Sequence, residues 1–208
     1  PQWFLNTLIV AMFTCFISTA LTLMTAYALS FLRFRGRKAL MNTALLLTLF
    51  PGFLGMIAVY FLLREIGLTN SLPGLILVYS GGAGVNYLIA KGFFDTVSRS
   101  LREAAYLEGA NEWTVFCRIT LPMTTPILAV NALNAFIHAY SSWEWAFLVC
   151  QKESHWTLAV WMYQMSQTMA NQPWCVMAGF VVVSIPTAAV FLLCQKVILR
   201  GIVLPSMK

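Results

Sequence analysis

His138 is followed at short spacing by Ser141 and Ser142, so an imidazole and a hydroxyl share one helical face in a largely apolar stretch. A base beside a nucleophile is the arrangement of acyl transfer, yet no third orienting group and no nucleophile-turn signature accompanies it. An intramembrane hydrolase is therefore only a rival reading. The same face is longer than that pair: Asn131, Asn134, His138, Ser141 or Ser142, and Trp145 follow at steps of three or four. Polar groups are costly in lipid and turn toward partners or a water-filled cavity. The face reads as the wall of a solute path or as an interhelical hydrogen-bond seam, and His138 alone also fits a satisfied core histidine. Tyr79, Gly82 and Asn86 suggest a second polar lining, or an Asn bonded to a neighbouring helix. The run Ser80-Gly81-Gly82-Ala83-Gly84 is no phosphate loop, because no Gly-Lys-Ser/Thr ends it. Without a P-loop the chain has no ATPase site of its own.

The elements that must carry these residues are membrane spans. Of 208 residues, 60% are hydrophobic and 10% charged, against about a quarter charged in soluble domains. Charge-free tracts cover 1–32, 39–63, 66–90, 119–151 apart from Glu144, and 154–195. Each supplies the roughly 20 apolar residues that cross a ~30 Å hydrocarbon core, where helices satisfy the backbone. The expected fold is all-α, one transmembrane domain over 1–208 with five spans at about 3–32, 40–63, 72–90, 125–149 and 175–197. Segment 91–122 then lies inside and the loop 150–174 outside.

Thr14, Ser18, Thr22 and Thr25 form a small-polar stripe suited to close packing of the first span. Pro51-Gly52 predicts a kink in the second and Pro186 interrupts the last. Trp156, Trp161, Tyr163 and Trp174 suit an interfacial belt. The five cysteines have no C-x-x-C spacing, so a metal site is not expected, while Cys150 and Cys175 both fall near the outer face within reach of pairing. The chain starts at Pro1 with neither a Met nor a basic n-region, so an upstream segment is expected rather than a secretory signal.

Net charge is +6. If the first span enters the cytoplasm, Arg33, Arg35, Arg37, Lys38, Lys91, Arg99, Arg102, Arg118, Lys196, Arg200 and Lys208 fall inside, leaving only Arg64 and Lys152 outside. That asymmetry is the positive-inside rule, so the basic pI records topology and lipid headgroups rather than a nucleic-acid partner.

The one long charged stretch, 91–122, reads as two short amphipathic helices. Ser100 and Glu103 fit a capping box, Phe94, Val97, Leu101 and Ala105 recur on one face, Gly109 offers a positive-φ stop, and Asn111 caps a second helix through Phe116. Such a unit fits a partner's groove, or else rests on headgroups.

The spacing of Glu103-Ala104-Ala105, Gly109, Ile119, Leu121 and Pro122 resembles the EAA loop of ATP-driven import permeases. Nearly the whole chain resembles the MalG-like permeases of carbohydrate ABC importers (binding-protein-dependent transport inner-membrane components with a MetI-like fold). That likeness runs through Asn6 to Val10, the RFRGR run at 33–37, KGFF at 91–94, TLAV at 157–160, and Arg200-Gly201. The resemblance implies a five-helix core usually preceded by one further helix, in the cytoplasmic membrane of a bacterium or archaeon. It also implies a second homologous permease, two ATPase subunits that hold ATP and Mg, and an extracytoplasmic sugar-binding protein. Glu103 would face an Arg of the ATPase, and the loop 150–174 with Trp156, Trp161 and Tyr163 would reach toward the binding protein. Two departures from the family pattern stand out: Tyr140-Ser141-Ser142-Trp143 with Glu144 where many relatives have a Trp-Asn-Glu-Phe-like run, and a tail without a Gly-rich ending. A non-sugar cargo such as a polyamine or phosphoester would call for carboxylates or arginines on the path, and the spans offer neither.

Overall fold

A computed structural model describes residues 2–49, 52–81 and 86–202, and every regular element among them is helical. The organising element is α1 (Gln2–Phe31), which has no Pro, Gly or charge to interrupt it. Its 30 residues reach about 45 Å at 1.5 Å per residue, more than a bilayer's hydrocarbon core. One side of α1 is small and polar: Thr7, Thr14, Ser18 and Thr22 are buried and let α9 (Thr125–Ser141), α4 (Leu72–Gly81) and α5 (Asn86–Phe94) approach closely. Thr25, expected on that stripe, is exposed instead. At three residues beyond Thr22 it has rotated off the packed face.

Beyond α1 the basic run turns at Gly36, whose φ of +89° is a left-handed conformation that favours glycine. There follow α2 (Arg37–Leu49) and α3 (Gly52–Glu65). The expected second span is helical in both of its described parts, and the kink predicted at Pro51 lies outside the described residues. Leu45, Leu46, Leu47, Leu54 and Ile57 face outward, and α2 has no substantial packing against another described helix.

The third span is divided. Helices α4 and α5 lie at 51° across 82–85, so Tyr79 and Asn86 sit on different helices and share no common face; Gly82 to Gly84 lie outside the described residues. Because α5 continues to Phe94, the charged segment begins near Asp95, four residues later than expected.

The charged segment comprises α6 (Arg99–Leu107), α7 (Glu112–Val115), a π-helical turn (Phe116–Thr120) and α8 (Leu121–Met123). Pro122 has no N–H for the usual i−4 bond, consistent with the widened turn before it. From Glu112 to Met123 the chain runs at 84° to α9. The expected fourth span breaks as well: α9 ends at Ser141, and α10 (Glu144–Val149) follows a bend. A 3₁₀ turn (Glu153–His155) and α11 (Leu158–Thr168) lead to α12 (Pro173–Ile202), which keeps Pro186 inside one helix. Near that proline, the Tyr140 hydroxyl donates to the Val183 carbonyl at 2.9 Å, and Ser184 and Thr187 donate to Val181 and Ser184 carbonyls at 2.8 Å each. These bonds go to carbonyls that flank Val182, whose own i−4 donor Pro186 withholds.

By length and composition α1 and residues 173–198 of α12 are each able to cross a membrane. The two bent pairs, α4 with α5 and the 112–123 stretch with α9, raise that to four if each is one span. The core has two parts along α1. Val10, Ala11, Leu75, Tyr79, Phe136, Ala139, Tyr140, Val149 and Val160 fill the first, which is rimmed by tryptophans. Leu23, Ala26, Tyr27, Ala90, Phe94, Phe116 and Ile127 fill the second, beside the arginines. These are called the aromatic end and the basic end below.

Candidate functional site

At the basic end α6 starts at Ser98, whose hydroxyl meets that of Ser100 at 2.7 Å and caps no backbone N–H. The capping box expected from Ser100 and Glu103 is therefore not formed: Ser100 lies inside the first turn, because the helix begins two residues earlier. Nor do Phe94, Val97, Leu101 and Ala105 make one face. Phe94 ends α5, and Leu101 is exposed while Ala105 is buried.

The other end of α6 follows the sequence reading closely. Gly109 has φ +82°, its N–H donates to Tyr106, and the Ala110 N–H donates to Ala105 at 2.9 Å, which is a Schellman stop. Asn111 then caps α7 by accepting from the Thr114 N–H at 2.8 Å. Glu103 and Ala104 are exposed on α6, Leu107 is 91% exposed and Trp113 62%. A carboxylate in no ion pair with a described residue, beside bare apolar side chains, is a surface suited to a protein partner. Ile119 and Leu121 are half-buried and Pro122 exposed at the bend into α9, so these three shape the turn rather than extend the α6 surface.

What fastens α6 to the bundle is a group of residues that spacing alone did not single out. Arg102 is buried, with its guanidinium 4.0 Å from the Phe31 ring centroid and 5.7 Å from those of Tyr27 and Tyr106. It donates to the Tyr106 hydroxyl at 2.9 Å and lies 3.6 Å from Glu112, which also accepts from the Tyr27 hydroxyl at 2.6 Å. Helices α1, α6 and α7 thus meet at one cation, stacked on aromatic faces. Burial opposes ionisation of Glu112, but hydrogen bonds from Tyr27 and Tyr106 and the charge of Arg102 outweigh it, so its carboxyl titrates below the usual carboxylate value. The available signal was the Arg102 and Tyr106 pair at i,i+4.

The polar face of α9 divides in the structure. Asn134, His138 and Ser141 are exposed on one side. Asn131 turns inward and donates to the Ile127 carbonyl at 3.0 Å, Trp145 belongs to α10 and packs on the aromatic-end core, and the Ser142 carbonyl accepts from buried Tyr79 at 2.9 Å. Tyr79 therefore braces the bend after α9 instead of lining a path, while Asn86 is half-buried at the start of α5. His138 meets the Tyr79 ring edge-on at 5.4 Å, and Ser141 donates to the Ile137 carbonyl at 2.6 Å. Among the described residues no hydrogen bond joins the His138 imidazole to either serine hydroxyl, so the nucleophile and base pair is not assembled. Between α9, α11 and α12 lies a cavity of about 310 Å³, walled by Tyr140, Trp143, Tyr163, Phe180, Ser184 and Thr187.

At the aromatic end, Trp156 and Trp161 pack against Trp3 at 6.3 and 5.7 Å, and Tyr163 stacks on Trp143 at 4.1 Å. All three are half-buried within the chain, whereas Trp174 is exposed. Asn6 donates to the carbonyls of Ser154 and Trp156, and Thr7 accepts from the Leu158 N–H at 2.8 Å. Asn70 has φ +52°, and its side chain accepts from the N–H groups of Gln151 and Lys152 at 2.8 and 3.0 Å. Its signal was an Asn in a short loop before Pro73. Cys150 and Cys175 do not pair: Cys150 is buried toward the Ser71 carbonyl, Cys175 approaches Gln172, and all five cysteines are free.

Residues 18–203 match the family described as "Binding-protein-dependent transport system inner membrane component". The chain is 36% identical to the maltose/maltodextrin transport system permease protein MalG of Yersinia pestis, over 99% of this chain and 70% of that protein. It is 32% identical to the galactooligosaccharides transport system permease protein GanQ of Bacillus subtilis (strain 168), over 97% and 72%. Its fold superimposes with a TM-score of 0.81, at 25% identity, on a chain from a bacterial ABC transporter involved in the import of the acidic polysaccharide alginate, covering 94% of this chain and 74% of that one.

Proposed function

Because the chain belongs to the binding-protein-dependent transport system inner membrane component family, we propose that it is the permease subunit of an ATP-binding-cassette importer that brings a neutral sugar or oligosaccharide into the cytoplasm. The observation that carries this reading is its similarity, over almost its full length, to relatives whose names specify maltodextrin and galactooligosaccharide transport. The α9 face agrees with an uncharged cargo, since Asn134, His138 and Ser141 offer hydrogen bonds and no carboxylate or arginine.

In this reading the chain is a multi-pass protein of the cytoplasmic membrane with a five-span core, its basic end inside and residue 1 outside. It alternates access together with a second homologous permease, and ATP and Mg reside on two partner ATPases. Glu103, with Ala104, Ala105 and the Gly109 stop, forms the input: the exposed surface of α6 docks on the ATPase, and Arg102 carries the displacement to α1 through Phe31 and Tyr27. The loop 150–174, shaped by Trp156, Trp161 and Tyr163, receives the sugar-binding protein.

The test is a complex reconstituted in lipid vesicles with its binding protein. Neutral oligosaccharides are expected to stimulate ATP hydrolysis and to accumulate inside. Stimulation by a polyamine or a phosphoester, with none by any neutral sugar, would overturn the sugar assignment.

A further inference from the structure

A second feature of the basic end lies beside the α6 surface. A cavity of about 290 Å³ is walled by Ser30, Phe31 and Arg33 at the end of α1, Arg37 at the start of α2, Arg99, Arg102, Glu103 and Tyr106 of α6, and Glu112. Three separate segments deliver these arginines, and the left-handed turn at Gly36 folds Arg33 and Arg37 toward the same space. Four arginines face two glutamates, an excess of two positive charges. Among the described residues no ion pair engages Arg33, Arg37 or Arg99.

The base of the cavity carries the strongest indication. Arg102 is only 9% exposed, its Nε–H has no hydrogen-bond partner among the described residues, one of its bonds goes to a neutral phenol, and the carboxylate nearest to it is shared with Tyr27. A buried cation so incompletely balanced is stabilised by an anion placed above it. The cavity also opens where the apolar run of α1 stops, which the proposed membrane placement puts at the level of lipid headgroups, with Phe31 forming an apolar wall. The bare apolar residue of α6, Leu107, does not line it. The protein-docking surface and this cavity therefore meet at Glu103, which borders both, and diverge from there.

We propose that this cavity is a site for the phosphate of an anionic phospholipid, held by Arg33, Arg37 and Arg99 over the charge of Arg102, with the first acyl carbons against Phe31. Phosphodiester oxygens suit the forked donors of arginine, and basic pockets at the cytoplasmic ends of spans are suited to such headgroups. The inference rests on the membrane placement of α1 and not on the coupling role of Glu103. It is read without turnover, so its failure would leave that role standing, and the reverse also holds.

The experiment is native mass spectrometry of the assembled complex, extracted in mild detergent, for the wild type and for the Arg33→Gln/Arg99→Gln variant. Wild-type complex is expected to retain phosphatidylglycerol at this chain and to rebind it after delipidation in preference to phosphatidylcholine. The double variant should bind it about thirtyfold more weakly, as expected for two lost charge-assisted contacts. Equal affinity of the delipidated wild type for the two lipids would overturn the proposal whether or not the variant assembles, as would unchanged retention in the variant. Full displacement of the lipid by millimolar inorganic phosphate, with no lipid retained on purification, would overturn the lipid source in favour of a free anion. Protection of Arg99 from chemical labelling only when the ATPase is bound would overturn it in favour of an acidic segment of that partner.

Discussion

At the aromatic end, side chains that tie α1 to the 150–158 stretch bond to backbone: Asn6 and Gln2 donate to carbonyls, Thr7 accepts from an N–H, and Trp3 donates to Glu153. At the basic end, the ties run between side chains that carry charge, from Arg102 to Glu112 and across the aromatic faces of Tyr27 and Phe31. Backbone bonds fix one geometry and respond little to salt or pH. A cation held by rings and a half-exposed carboxylate admits small shifts and responds to whatever charge approaches. Under the proposed function, the first arrangement suits an end that holds its shape against a docking protein, and the second suits an end that passes a displacement to the first span.

The largest expected effect comes from removing the cation. Arg102→Met keeps an apolar stem against Phe31 and deletes the charge, and should weaken docking of α6 by about 2 kcal/mol. Hydrogen exchange over residues 99–115 should accelerate while residues 150–160 remain protected; equal acceleration at both ends would erase the contrast. At the aromatic end, Asn70→Ala loses two backbone contacts and leaves a left-handed residue with a Cβ and no local bond. A cost approaching 2 kcal/mol is expected, read as a lower thermal midpoint that is insensitive to salt. Asn70→Asp, which keeps the acceptor, should recover most of it.

Gly109→Ala is expected to cost about 1 kcal/mol, through φ alone, since nothing lies within 4 Å of the added Cβ. Faster proteolysis between α6 and α7 would report it. The smallest effect is that of pH. Glu112 titrates below the usual carboxylate value when folded, so its contribution is present above the unfolded value and is lost as pH falls through the lower folded one. Exchange at 112–116, corrected for intrinsic rate, should rise through that acidic range more than exchange at 150–160, where the bonds from Gln2, Asn6, Thr7 and Asn70 involve no titrating side chain.

Features set by local chemistry were legible in the sequence. Gly109 and Asn111 punctuate α6 and α7 because a positive φ and an N-cap need little beyond their neighbours. Uncharged length likewise marked α1 and α12. Features set by tertiary packing were not legible. The helical period carried the α9 face on to Trp145, yet the chain bends after Ser141 and Tyr79 bonds the Ser142 carbonyl at that bend. Ser100 and Glu103 fit a capping box by type, but α6 starts two residues earlier. Arg102 looked like one more charge for the positive-inside count, and only the approach of Phe31 and Tyr27 from a span far away in sequence gives it a role. The tryptophans of the 150–174 loop looked like lipid anchors, and Trp3, at the other end of the chain, packs against two of them.

The central claim, that α6 is where the motor engages this chain, is tested most directly at Glu103, which is exposed and in no ion pair with a described residue. In the complex assembled with its partner permease, ATPases and binding protein, Glu103→Ala should leave assembly intact and lower sugar-stimulated ATP hydrolysis and uptake by about tenfold. Unchanged rates of both in that variant would contradict the account.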